Sequence, residues 1–206
     1  YDGTNRRLLV LSKTIENGMD TYKVNALATA TGTSGTVIAF INPRGQTEEA
    51  IKDVIWTVPE GTIQGEFKDF NFHRLGKTYV IADERLINGV KRTVIQGFDA
   101  TTGVTKFKAE VGGDISNMAI NNNDSVIYVA ENKSSIMAAK LKAIDATTGA
   151  VSDLNELKDQ VTVADYSDLR IDNLNRLLYI GDVVADAIYK VDLKTKIMTE
   201  LPIQAA

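Results

Sequence analysis

Residues 69–111 read DFNFHRLGKTYVIADERLINGVKRTVIQGFDATTGVTKFKAEV, residues 117–157 read NMAINNNDSVIYVAENKSSIMAAKLKAIDATTGAVSDLNEL, and residues 168–203 read DLRIDNLNRLLYIGDVVADAIYKVDLKTKIMTELPI. Written one beneath another, these segments share four landmarks in the same order. A short alternating strand comes first: Phe70 and Phe72, Met118 and Ile120, Leu169 and Ile171. A strand centred on Tyr79, Tyr128 or Tyr179 follows, at spacings of 49 and 51 residues. A third strand then runs into a turn at Asp99-Ala-Thr-Thr-Gly103, Asp145-Ala-Thr-Thr-Gly149 and Asp192-Leu-Lys-Thr-Lys196. A weaker fourth strand closes each unit.

The turn chemistry agrees with this reading. An Asp carboxylate bonds main-chain amides two residues on, and a Gly takes a positive φ without steric cost. Asn121 to Asp124 and Asp172 to Asn175 serve the same purpose between first and second strands. Units of four strands every 45–50 residues or so are the signature of propeller blades. Helical and leucine-rich repeats differ in period or in patterning.

A degenerate copy precedes these units. Arg7 to Leu11 matches a second strand, Tyr22 to Leu27 a third, Ala28-Thr-Ala-Thr-Gly32 its turn, and Thr36 to Phe40 a fourth. The expected fold is therefore all-β: a β-propeller of four-stranded antiparallel blades, about four of them, forming part of a larger ring. Its units fall at about 1–40, 66–111, 115–157 and 166–203 in one propeller region spanning 1–206. Residues 41–65 form an insertion. Within it, Asn42-Pro-Arg-Gly45 reads as a turn and Thr47 to Ile55 as a short helix with Thr47 as N-cap. Trp56 to Val58 reads as a strand ended by Pro59-Glu-Gly61. The first residue is Tyr1 and the first unit lacks a first strand, which predicts a processed or truncated product.

Tyr-Val-x-Asp/Glu, a variable hairpin, and then an apolar residue before Asp-x-x-Thr-Gly together resemble bacterial NHL, YVTN and quinoprotein-like propeller repeats. The resemblance covers residues 66–203 well and 1–40 poorly, and it extends to surface proteins of Bacteroidetes-type bacteria. It implies blade architecture and says little of activity.

Composition narrows the partners. The chain has 206 residues, a net charge of −4 and no cysteine. A mildly acidic chain lacks the basic surface that nucleic acid requires, so no nucleic-acid partner is expected. No apolar run is long enough for a membrane span. Disulfides and thiolate metal sites are excluded.

Aligning the first strands places Asp69, Asn117 and Asp168 in one column. A ring of such oxygens suits a hard cation such as Ca²⁺, although a repeated Asp or Asn also bonds neighbouring amides once per blade. A second column, Asp83, Glu131 and Asp182, reads as solvated turn acids. His73 is the only histidine; it reads as a surface or turn residue, and no nucleophile elbow accompanies it. The recurrent tyrosines read as core. Trp56, Tyr166 and Tyr1 fall outside the repeat and are the candidate ligand-binding aromatics. Lys91, Arg92, Lys140 and Lys142 read as a solvated face. The function these features predict is a non-enzymatic binding or scaffold propeller, extracellular, surface-displayed or periplasmic. It would recognise a protein or carbohydrate through loops on one face, without a cofactor. The alternative is a metal-dependent hydrolase or lactonase using Asp69, Asn117 and Asp168 in a central channel.

Overall fold

The structure is a computed structural model that describes residues 8–29, 36–41, 47–131, 140–154 and 166–201. The chain divides into two compact units, Tyr1–Thr62 and Ile63–Ala206. Every regular element among the described residues is a strand.

In the first unit, β1 (Leu8–Glu16) and β2 (Met19–Thr29) pair antiparallel. Asn17 and Gly18 join them with φ of 53° and 79°. Two positive φ values give a turn whose twist matches that of the strands it connects. The unit continues with β3 (Thr36–Ile41) and β4 (Thr47–Thr57), and the sheet order is β1-β2-β4-β3. The helix expected over Thr47 to Ile55 is thus a strand. Its two edges are taken by β2 and β3, with Ala26 opposite Asp53 and Val37 opposite Ile51. Pairing on both sides overrides a local capping signal, and Ile51, Val54, Ile55 and Trp56 are residue types that suit a pleated surface. Val24 and Ala26 are buried on β2, and the buried Asn25 between them donates to Ser12 Oγ at 2.7 Å and Lys23 O at 3.1 Å.

The second unit holds three sheets of identical plan. The first is β5 (Glu66–His73), β6 (Thr78–Ile87), β7 (Val90–Asp99) and β8 (Thr105–Gly112). The second is β9 (Ile115–Asn121), β10 (Val126–Glu131), β11 (Lys140–Asp145) and β12 (Val151–Asp153). The third is β13 (Tyr166–Asp172), β14 (Leu177–Asp182), β15 (Ala187–Asp192) and β16 (Ile197–Leu201). Each is an antiparallel meander in chain order. Their first strands neighbour one another, β5 beside β9 and β9 beside β13. These are propeller blades, and with the first unit the described chain contains four four-stranded antiparallel sheets.

Two seams of apolar side chains hold the three blades together. Val80, Ile95, Phe107, Met118, Ile127 and Val129 are all buried in the first seam. Tyr128, Leu141, Leu169, Leu178, Ile180 and Val191 are buried in the second. Each such side chain contributes roughly 1.5–3 kcal/mol by leaving water.

The Asp turns form as the sequence predicts. Asp99 Oδ1 accepts from the amides of Thr101 and Thr102 at 2.9 Å each, and Asp145 Oδ1 from Thr147 at 2.8 Å and Thr148 at 2.7 Å. Asp192 Oδ1 accepts from Lys194 at 2.8 Å and Thr195 at 3.0 Å. Gly103 and Gly149 have φ of 72° and 75°, while Lys196 takes the same role at 60°. These amides hold the carboxyls of Asp99, Asp145 and Asp192 below the usual carboxylate range, with Lys106 adding to the effect at Asp99.

The turns between first and second strands correct two expectations. Lys77, Ser125 and Arg176 all have positive φ, at 45°, 55° and 57°, which fixes them as equivalents. In that register Tyr128 and Tyr179 match Val80, and Tyr79 matches Ile127 and Leu178. Tyr79 therefore lies one residue out of the expected column, on the opposite face of its blade, against Phe72 (ring centroids 5.4 Å) and Phe70 (5.9 Å). Tyr179 is only half-buried and lines a cleft with Asp168 and Arg170.

His73 is the second correction: it is 2% exposed, and neither ring nitrogen has a hydrogen-bond partner. It occupies the place of Asn121 and Asp172, which cap their turns. Burial, followed by the nearby charge of Lys106, pushes its pKa down.

Candidate functional site at the bulged end of the blades

Each first strand carries a β-bulge at the same end. It lies between Phe67 and Asp69 in β5, opposite Val129 and Glu131 in β9, and between Tyr166 and Asp168 in β13. A bulge inserts a residue that re-aims side chains, and bulges are over-represented beside functional sites. Both acidic columns gather here, because Asp69 pairs with Ala82 and Phe67 with Asp83, while Asp168 pairs with Gly181 and Tyr166 with Asp182.

The inner column ties one blade to the next. Asp69 Oδ2 accepts from Met118 N at 2.8 Å, and its Oδ1 accepts from Phe70 N at 2.8 Å. Asn117 Oδ1 accepts from Leu169 N at 2.9 Å, and its Nδ2 donates to Leu169 O at 3.1 Å and to Asp168 Oδ1. Asp168 Oδ1 also accepts from Leu169 N at 3.0 Å, and Oδ2 lies 3.2 Å from Arg170. Burial pushes the Asp69 carboxyl up, and the Met118 and Phe70 amides oppose it. The structure brings Asn117 and Asp168 into contact and directs Asp69 onto β9. Among the described residues no group of three or more His, Cys, Asp and Glu side chains is disposed to hold a metal ion.

A complementary tie closes the other end of each seam. Asn122 Oδ1 accepts from Arg74 N at 2.6 Å, and Asn173 Oδ1 accepts from Asn122 N at 2.6 Å. Here side chains of the later blade accept main-chain amides of the earlier one, and Asn173 Nδ2 donates back to Ile120 O at 3.3 Å.

The second column is buried, contrary to its reading as solvated acids. Asp83 is 0%, Glu131 7% and Asp182 2% exposed. Asp83 Oδ2 accepts from Gln64 N at 2.9 Å, and its Oδ1 pairs with Arg85 at 2.8 Å. Glu131 Oε1 accepts from Gly112 N at 2.6 Å, and Asp182 Oδ1 from Val184 and Ala185 at 3.0 Å each. Lys142 is not solvated either: it is largely buried, beside Glu131 at 3.8 Å and bonded to Asp153. Lys91, Arg92 and Lys140 are exposed as expected.

Among the described residues, one hairpin is longer than its counterpart in the third blade. Strands β6 and β7 have ten residues each, whereas β14 and β15 have six, so their hairpin extends past the end of β5. A cleft of about 820 Å³ opens beside it, walled by Gln64 to Glu66, Glu84 to Asn88, Lys91, Lys108 and Glu110. Lys68, the bulge residue of β5, lies under this region, with Nζ 2.8 Å from Asp114, 3.1 Å from Glu66 and 3.7 Å from Glu84. Burial lowers its pKa, but the Asp114 and Glu66 carboxylates outweigh that and hold it raised. The extension had a sequence signal in Asn88-Gly89, whose φ values of 53° and 76° close the hairpin.

The two aromatics singled out by sequence lie in different units. Trp56 is half-buried on β4 opposite Val24. Tyr166 opens β13 opposite Asp182, and its side chain, like all of Tyr1, lies outside the described residues.

No protein family and no curated protein matches the chain. Among solved structures it is similar to a candidate 6-phosphogluconolactonase from Bacteroides fragilis, at 13% identity and a TM-score of 0.46 over 93% of this chain and 68% of that one. It is also similar to BamB from Moraxella catarrhalis, at 12% identity and a TM-score of 0.40 over 96% and 74%. The blade architecture rests on the strand pairing above, and neither likeness says what this chain binds or does.

Proposed function

We propose that the chain is a non-catalytic binding or scaffold propeller of the NHL/YVTN type, exported or displayed on a bacterial surface. It recognises a protein or glycan through loops at the bulged end of its blades. One observation carries the reading. The recurrent acids are engaged in architecture, on main-chain amides and between blades, whereas the extended β6–β7 hairpin builds an open cleft beside them. Sites grafted onto a repeat scaffold belong where the repeat is broken.

The test uses the full chain and a variant in which Leu86–Lys91 is replaced by Asn-Gly. Arg85 and Arg92 already face each other, so a two-residue turn closes the shortened hairpin without shifting register. Glycan and peptide arrays are expected to show a restricted ligand class for the parent and none for the trimmed variant, with equal thermal stability. Lactone hydrolysis that requires Ca²⁺ and is abolished by Asp168→Ala would overturn the reading in favour of the hydrolase.

A further inference from the structure

The cleft beside the β6–β7 hairpin has features that define its occupant. In an antiparallel pair, the main-chain groups of successive residues point alternately toward the partner and away from it. The Asn88-Gly89 turn is closed by the Ile87–Val90 pair, so Leu86 and Lys91 form the next, outward-facing pair. Lys91 O is indeed directed outward, accepting from Gly113 N at 3.3 Å on the far edge. By the same alternation, the N–H and C=O of Leu86 point away from β7, at the edge of the sheet that borders the cleft. The pairing of β5 with β6 stops at Glu66 opposite Glu84, so no strand among the described residues pairs with Leu86 on that side. The Leu86 side chain is 71% exposed.

Glu84, the neighbouring rung, supplies the charge. It is 6% exposed; Oε1 pairs with Lys91 at 2.7 Å, while Oε2 is buried, lacks a hydrogen-bond partner and lies 3.7 Å from Lys68. A carboxylate oxygen buried without a donor is unfavourable, by more than a neutral acceptor would be. The Lys91 side chain is 66% exposed. Among the residues lining the cleft, the carboxylates of Glu66, Glu84 and Glu110 balance the cations of Arg85, Lys91 and Lys108, so a guest cation finds its partner in the Glu84 oxygen that lacks a donor.

We propose that this cleft takes an extended peptide segment bearing a lysine or arginine, which adds a strand rung to Leu86 and sets its cation against Glu84. The mode is strand addition, in which main-chain bonds hold the segment and a side-chain pocket selects it. The proposal rests on the binding reading above and names its partner.

The probe is a fluorescein-labelled Gly-Thr-Val-Lys-Val-Thr amide, titrated with the full chain and read by fluorescence anisotropy. Saturation is expected below about 1 mM. Replacing the peptide lysine by glutamate is expected to weaken binding by at least about tenfold, and Glu84→Gln to weaken the lysine peptide by about tenfold. A peptide N-methylated along its backbone should not bind the parent protein; this arm decides the matter even where Glu84→Gln disturbs the sheet. Equal binding of the lysine and glutamate peptides, indifference to N-methylation, or absence of saturation overturns the proposal. Array ligands that persist without peptide binding refute the cleft assignment alone, whereas absence of both refutes the binding reading as well.

Discussion

His73→Asn is expected to stabilise the second unit, against the usual rule that replacing a buried side chain destabilises. In the equivalent turns, Asn121 Oδ1 accepts from Asn123 N at 3.0 Å and Asp124 N at 3.2 Å, and Asp172 Oδ1 from Leu174 N at 3.0 Å and Asn175 N at 3.1 Å. An imidazole is the wrong shape for that double acceptance. In the native turn, a Cβ on Gly76 would stand 2.5 Å from His73 Nδ1, so the ring also restricts the turn. An asparagine supplies two bonds of about 1 kcal/mol each and removes unsatisfied buried nitrogens costing roughly 1–3 kcal/mol. The space left by the ring takes back about 1–3 kcal/mol. The net is a gain on the order of 1 kcal/mol, or about 2–4 °C in Tm for a chain of this length.

The pH dependence gives a second readout. Burial lowers the folded-state pKa of His73, so between that value and the unfolded value near 6.5 the unfolded chain binds the extra proton. Its contribution is intact above about pH 6.5 and is lost as pH falls, at up to about 1.4 kcal/mol per pH unit. His73 is the only histidine, so its proton NMR titration is unambiguous, and the part of the urea-unfolding slope lost in the variant belongs to it. A variant that is less stable at pH 7.5, or that keeps the acid slope, refutes the account.

Asn117→Ala removes an acceptor for Leu169 N and two donations, and should cost about 2–3 kcal/mol in urea unfolding. A double-mutant cycle with Asp168→Ala should show coupling, whereas additivity would argue against a clasp. Lys196→Gly should stabilise by about 0.5–1 kcal/mol, since its φ of 60° is where glycine sits in the sister turns. Gly97→Ala should cost at least about 2 kcal/mol, because its Cβ would fall 2.1 Å from the buried Phe107 ring; an unchanged Tm would contradict the packing. The depressed Asp145 carboxyl contributes stability that is intact above its unfolded pKa near 4 and is lost as pH falls through the folded value. Asp145→Asn should therefore flatten the acid unfolding curve below about pH 4.

The blades were legible in the sequence because their turns are local. Asp99, Asp145 and Asp192 bond amides two and three residues away, and residue type alone announces such turns. What depends on a neighbouring strand was not legible. Thr47 reads as a helix N-cap, and only β2 and β3 on either side make that segment β4. Asp83, Glu131 and Asp182 were found as a column, but their burial follows from the amides they meet, as Glu131 meets Gly112 across a seam. Tyr79 misled because the residues fixing the register, Lys77, Ser125 and Arg176, share a backbone conformation and no chemistry. At the candidate site, the strands running past β5 into the Asn88-Gly89 turn were a visible break in the repeat. The orphaned oxygen of Glu84 was not.

Each blade seam carries two ties: Asp69 and Asn117 accept main-chain amides of the blade that follows, and the amides of Arg74 and Asn122 bond asparagine side chains of that blade. Asn117 and Asn122 show both halves within a single blade, which meets its predecessor and its successor through the same two kinds of joint. A unit with matching joints on either side can be copied in tandem, and the copy fits its parent without redesign of either surface. Such a gene segment can lengthen or shorten by whole blades, while single hairpins, such as the one between β6 and β7, remain free to diverge.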